Sequence, residues 1–173
     1  MARTSQTELA VLGALSTGPM TGYAVREAIR DVLGHFWSES FGQIYPTLAA
    51  LEQAGHVRRD EADRTLHITA SGTARLRELL ATPAQPNPPR NGLLLRVFFG
   101  RTLGVEACRE LIAQARAQAE QRLAEYELMA AQVAEESQPD APFMLCTINA
   151  GRKTAGATIA WADESLAALA ELA

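Results

Sequence analysis

Residues 36–57, FWSESFGQIYPTLAALEQAGHV, constrain the fold more than any other stretch of the chain. Ser40 followed three residues later by Gln43 has the spacing of a capping box. Its side chains satisfy backbone N–H groups that a first helical turn leaves open, so a helix start is expected between Ser40 and Gly42. Pro46 then falls near the first turn, where a missing N–H costs little. Ile44, Leu48 and Leu51 recur at i, i+4 and i+7 and form one buried face. Gln43, Thr47 and Ala50 lie beside that stripe, on a face of small or hydrogen-bonding side chains that suits a groove. Gly55 stands where a helix ends in left-handed backbone.

The rest of the first 82 residues reads as helices around a short ribbon. Ser5 with Glu8 has the spacing of another capping box, and Leu9, Leu12 and Leu15 would face inward. Gly18-Pro19 breaks that helix. Thr21 then caps a second one, in which Tyr23, Val25, Ile29 and Val32 supply apolar contacts before Gly34. The third helix runs from Gly42 to Ala54. Val57-Arg58-Arg59 and Leu66-His67-Ile68-Thr69 alternate like two short strands, with Asp60 to Arg64 as the turn. Thr69 or Ser71 starts a fourth helix through Leu80. The expected fold class is mainly α with a small β-hairpin: a winged helix-turn-helix followed by a helical arm.

Four prolines within Pro83–Pro89 cannot continue a helix and make a stiff extended linker. The expected organisation is therefore a winged helix-turn-helix over 1–82, a linker over 83–92 and a helical unit over 93–173. A second break, Ser137–Pro142, separates two long helical tracts. Leu93 to Thr102 reads as a short apolar helix, and Val105 to Glu136 as a helix about 45 Å long at ~1.5 Å per residue. On it Leu111, Ala115, Ala119, Leu123, Tyr126, Met129 and Val133 keep a three- or four-residue spacing, a seam that needs a partner. The last helix spans Phe143 to Leu172. So much apolar surface on a small arm is expected to be buried in a homodimer.

Composition excludes several classes. No apolar run approaches the ~20 residues needed to cross a bilayer, so no membrane partner is expected. The N-terminus lacks the pattern of a secretory leader, which makes a cytoplasmic protein the expectation. Cys108 and Cys146 are far apart and, with His35, His56 and His67, match no metal-ligand spacing. No metal, cofactor or catalytic constellation is expected. The net charge is −4, and residues 1–82 carry eight Arg against nine acidic residues. This is less basic than many DNA-binding domains.

The residues resemble the PadR-like family of transcriptional regulators. Gly22-Tyr23-Ala24-Val25 after Gly18-Pro19 is similar to that family's second helix. Phe36-Trp37, Gly42–Leu48 and Leu51–Gly55 are similar to its recognition helix, and Ile68-Thr69 with Gly72 to the exit from its wing. Leu95–Phe99 and Trp161 are weaker matches to its helical arm. The resemblance implies a homodimeric DNA-binding regulator, commonly a repressor, paired through its C-terminal helices. The turn Asp60–Arg64 is shorter than the family's usual Gly- and basic-rich wing, and Leu66-His67 stands where aromatics are common. Three acids at the tip are repelled by phosphates, so the helix rather than the ribbon is expected to carry most of the contact.

On that reading Gln43 and Thr47 sit where a recognition helix meets base edges. Thr21, Ser38 and Ser40 stand at helix starts, where they cap and where N–H groups also favour phosphate. Tyr45 would donate to a phosphate or pack on Tyr23. Arg58, Arg59 and Arg64 would face the backbone. Phe98, Phe99, Met129, Met144 and Trp161 could line a pocket for a small apolar or aromatic effector, or join Leu123 and Tyr126 in a dimer core. The expected partners are a double-stranded operator, a second copy of the chain and such an effector. The acidic ribbon also motivates a second reading, a protein–protein adaptor on the same scaffold.

Overall fold

A computed structural model describes residues 2–37, 41–84, 90–135 and 138–172. The chain divides into two compact units, Met1–Asn87 and Pro88–Ala173. In the first, α1 (Ala2–Ser16), α2 (Gly22–Ala28), α3 (Phe41–Gln53) and α4 (Ala70–Ala81) surround a ribbon of β1 (Val57–Arg59) and β2 (Leu66–Ile68). α1 lies at the centre, packed on α2, α3, α4 and β2. This explains why Ala10, Val11, Leu12 and Leu15 are all buried, a wider face than one stripe provides. They meet Val25, Ile29, Ile44, Leu48, Leu51, Val57, Leu66, Leu76 and Leu79 in one cluster, with Trp37 packed at its edge. Removing a leucine-sized side chain from water contributes roughly 1.5–3 kcal/mol.

Local signals decide most boundaries. Thr21 caps α2 by accepting the Ala24 N–H at 3.2 Å, and Thr69 caps α4 by accepting the Gly72 N–H at 3.1 Å. α3 ends at Gly55, whose φ of 73° lies in the left-handed region. There the His56 N–H reaches Leu51 O and the Gly55 N–H reaches Glu52 O, which closes the last carbonyls. Gly72 is required by packing: a Cβ there would strike the His56 carbonyl oxygen and the Ile68 side chain.

Several expectations are corrected. α1 begins at Ala2, so Ser5 lies inside the helix rather than at its start. Glu8 instead accepts from two nitrogens of Arg75 on α4, Nε at 2.9 Å and Nη2 at 3.1 Å. Pro46 lies in the second turn of α3, where its missing N–H removes a bond to the Gly42 carbonyl. α2 relaxes into one wider π-type turn at Ile29–Leu33. Tyr23 and Val32 are exposed, leaving Val25 and Ile29 as its buried contacts. The loop before α2 also joins the ribbon: Met20 and Leu66 exchange both backbone hydrogen bonds.

The second unit contains α5 (Gly92–Phe98), α6 (Gly100–Leu103), α7 (Val105–Glu135) and α8 (Ala141–Ala170). Asn91 starts α5 by accepting the N–H groups of Leu93 and Leu94, both at 3.0 Å. The expected single helix over Leu93–Thr102 is broken at Phe99. α7 and α8 pack along their length as a helical hairpin. The hairpin buries Cys108, Ile112, Ala119 and Val133 on α7 and Ala155 and Ala162 on α8. The seam on α7 therefore finds a partner inside its own chain. Tyr126 lies against Gly151, where a Cβ would strike its ring. Arg116 Nε donates to Asp163 Oδ1 at 2.6 Å and ties the two helices.

Candidate nucleic-acid interface

The exposed face of α3 presents Gly42, Gln43, Pro46, Ala49, Ala50 and Gln53. At ~100° per residue, Ile44, Leu48 and Leu51 point to the opposite side. Thr47 lies close to that buried direction and is only 9% exposed. The expectation of an outward Thr47 is thus corrected: its neighbours in the helical net, Ile44 and Leu48, draw it inward. Gln53 was not among the expected residues, although its spacing from Pro46 and Ala50 places it on the exposed side.

A cleft of about 380 Å³ borders this face. Thr21, Gly22 and Tyr23 from the start of α2 form one wall. Tyr45, Leu48, Ala49 and Glu52 from α3 form another, and Arg59, Asp63 and Arg64 from the ribbon the third. Tyr23 is 62% exposed and Tyr45 48% exposed. The Tyr45 ring lies against Gly22, Cε1 sitting 3.4 Å from where a Cβ would be, and shares the cleft wall with Tyr23. The Arg26 guanidinium stands 6.0 Å from the Tyr23 ring centroid, at the outer limit of a cation–π contact. Ser38 and Ser40 lie outside the described residues.

Strand parity separates the two ribbon arginines. Arg59 is opposite Leu66, and Arg58 is opposite His67. Directly opposed residues share a face of the ribbon, and Leu66 is fully buried. Arg59 therefore points toward α3, where Nε donates to Glu52 Oε1 at 2.9 Å and Nη2 to Oε2 at 2.6 Å. Glu52 raises the Arg59 pKa above its ordinary value by accepting these bonds. The expected backbone-facing Arg59 is occupied by a carboxylate. Arg58 points to the other face and is exposed.

Two of the three acids of the ribbon tip have structural work. Asp60 Oδ1 accepts the Ala62 N–H at 2.9 Å. Asp63 Oδ1 accepts the Thr65 N–H at 2.9 Å and the Thr65 hydroxyl at 2.7 Å. These bonds hold the Asp63 carboxyl below its ordinary range, the hydroxyl contributing most. Between Asp63 and Thr65, Arg64 adopts φ 62°, and its side chain lies on the rim of the cleft. Asp residues that close their own backbone in a turn are a short-range signal, and the net charge of the tip obscured it.

The effector candidates do not gather in one place. A second cleft of about 600 Å³ lies within the C-terminal unit, lined by Leu95, Phe99 and Leu103 with Arg96 and Glu110 among its polar groups. Phe99 contributes to it, while Phe98, Met129, Met144 and Trp161 do not. Phe98 is 81% exposed and meets the Phe99 ring edge-on at 5.1 Å. Leu123, Tyr126, Met129, Met144 and Trp161 are half-buried along the α7–α8 hairpin. Among the described residues no group of His, Cys, Asp and Glu is arranged to hold a metal ion. No described helix is long and apolar enough to cross a membrane.

Residues 11–78 match the Transcriptional regulator PadR-like family, and residues 89–170 match the family described as Virulence activator alpha C-term. The Negative transcriptional regulator PadR of Bacillus subtilis is 28% identical over 98 residues, 52% of this chain and 54% of that protein. A probable transcriptional regulator of Mycobacterium tuberculosis is 29% identical over 104 residues, 56% of this chain and 55% of that protein. The aligned part thus spans about half the length of the curated relatives it matches. Among solved structures, the PadR-like transcriptional regulator BC1756 of Bacillus cereus superposes with a TM-score of 0.82 at 23% identity, covering 96% of this chain and 99% of that one. Bacillus subtilis PadR in complex with operator DNA gives 0.80 at 22% identity, covering 94% of this chain and 98% of that one. The same protein with p-coumaric acid also gives 0.80 at 22%, covering 94% and 97%. At these identities the structural likeness speaks for the fold. The chain thus carries a PadR-like family domain over residues 11–78, and its winged helix-turn-helix followed by a helical hairpin is the fold of the PadR-like transcriptional regulators it superposes on.

Proposed function

We propose that the chain is a cytoplasmic, homodimeric repressor that binds a pseudo-palindromic operator and is released by a small apolar or aromatic effector. The observation that carries this reading is the exposed face of α3, with Gln43 at its N-terminal end beside a cleft lined by Thr21, Tyr23, Tyr45 and Arg64. In the proposed complex two copies of α3 enter successive major grooves about 34 Å apart, the spacing of one DNA turn. Gln43 reads base edges, and Thr21, Tyr23, Tyr45, Arg58 and Arg64 meet the phosphates. Thr47, facing the core, supports the helix from behind. The relative named a negative regulator supports the sign of the response, and the neighbour bound to operator DNA supports the ligand class.

The homodimer is supported by apolar side chains left exposed on the second unit, Leu94, Leu95, Phe98 and Phe99 above all. A neighbour captured with p-coumaric acid supports an aromatic effector. Such a molecule acts only by binding one dimer geometry better than the other.

The test is a mobility-shift assay on the DNA upstream of the protein's own gene, comparing wild type with Gln43→Ala. The expected result is weaker and less selective operator binding by the variant. Unchanged affinity and selectivity would remove Gln43 from base reading. The acidic tip and the occupied Arg59 favour one rival, a protein–protein adaptor. Absence of any salt-sensitive DNA retention at low ionic strength would favour that rival, because phosphate contacts release counterions and weaken steeply with salt.

A further inference from the structure

We propose that Glu52 acts as an internal competitor for phosphate, holding Arg59 in an intramolecular pair and so keeping the protein's sequence-independent affinity for DNA low. The inference rests on the DNA-binding reading of α3 and its cleft.

The geometry has three parts. First, the pair is a two-bond fork, with Arg59 Nε and Nη2 each donating to a different oxygen of Glu52. A guanidinium offers the same parallel donors to a carboxylate as to a phosphate, so the two anions compete for one site. Second, the pair stands in the wall of the cleft that borders the exposed face of α3, with Arg64 and Asp63 beside it. Glu52 shares this side of the helix with Tyr45 and Ala49. Third, ribbon parity directs Arg59, but not Arg58, toward that wall.

The consequence follows from charge. With Glu52 in place the cleft holds an arginine whose charge is already matched, and a phosphate must displace a carboxylate that then stays nearby and repels it. The Arg59 side chain is 41% exposed and that of Glu52 25% exposed, so the pair is weak and screened by salt. Neutralising Glu52 leaves Arg59 where it is and frees its fork. Each protomer then loses one anion, and the Arg59 cation already at the cleft is left unpaired. On this reading the restraint on sequence-independent binding resides in one residue of α3 as well as in the net charge of the chain.

The experiment measures binding to duplex DNA of unrelated sequence against salt concentration, for wild type, Glu52→Gln, Arg59→Ala and the double variant. Glu52→Gln is expected to bind several-fold more tightly at low salt. Its plot of log affinity against log salt should steepen by about 0.9 for each new phosphate contact, one per protomer. Arg59→Ala is expected to keep the wild-type slope, and the double variant to match Arg59→Ala. Arg59→Lys keeps the charge but loses the fork, and its slope is expected between wild type and Glu52→Gln; this arm serves if Glu52→Gln fails to fold. An unchanged slope in Glu52→Gln overturns the inference. A flatter slope in Arg59→Ala alone also overturns it, because Arg59 would already be on phosphate. Selective binding of wild type to its operator, measured in the same assay, separates the two levels. Selective operator binding with an unaltered Glu52→Gln slope sinks only the competitor, whereas no salt-sensitive binding by any variant sinks the DNA-binding reading with it.

Discussion

Individual side chains show why residue type alone was a partial guide. Thr47, a plausible base reader by type, is turned inward by the same period that buries Ile44 and Leu48. Asp63, an apparent source of repulsion, closes the ribbon turn by accepting from Thr65 twice. This gives a pH prediction with a definite sign. The folded state holds the Asp63 pKa below its ordinary value, so its contribution to stability is fully present above about 3.9. It is lost as pH falls through the lower folded value, where the carboxylate takes up its proton. Urea unfolding across that acid window should show wild-type stability falling with pH more steeply than that of Asp63→Asn. Parallel curves for the two proteins would show that the bonds to Thr65 contribute nothing to the titration.

Among the elements, α8 offers an internal control for packing. Gly151 and Gly156 stand five residues apart in one helix, with different surroundings. A Cβ at 151 would strike the Tyr126 ring, whereas at 156 nothing lies within 4 Å. Gly151→Ala should therefore destabilise the chain by about 1–3 kcal/mol through overpacking. Gly156→Ala should stabilise it by up to ~1 kcal/mol, the helix preference of alanine over glycine. Thermal unfolding of the pair checks both signs, and equal shifts would mean that Tyr126 does not bear on Gly151. The ribbon teaches the same lesson at shorter range. Adjacent Arg58 and Arg59 look equivalent as charges, yet strand alternation sends one outward and the other to Glu52. Both arginines were expected to face the DNA backbone; the pairing register of the ribbon and the reach of Glu52 separate them.

For the whole molecule, the exposed apolar side chains of the second unit carry the prediction. Phe98 is 81% exposed, and Leu95 and Phe99 stand exposed in the same helical segment. A patch of this kind is usually covered by another surface. In the proposed homodimer, Phe98→Glu should shift the chain from dimer to monomer in sedimentation at micromolar concentration, with its far-ultraviolet dichroism unchanged. A dimer that survives this change would place the interface elsewhere. α8 of the same chain covers much of the α7 seam.

The sequence by itself determined much of the first unit: the caps at Thr21 and Thr69, the stripe of α3 and the stop at Gly55. These are short-range signals, set by backbone hydrogen bonding and by a helical period that repeats within a few residues. Tertiary structure alone decided the pairings over long separations. Glu8 left its expected cap for Arg75, sixty-seven residues away. Met20 was added to the ribbon, α8 covered the α7 seam, and Arg59 was given to Glu52. An ionised or apolar side chain takes the partner that the fold brings within reach, and its choice of partner is not written in the spacing of its neighbours.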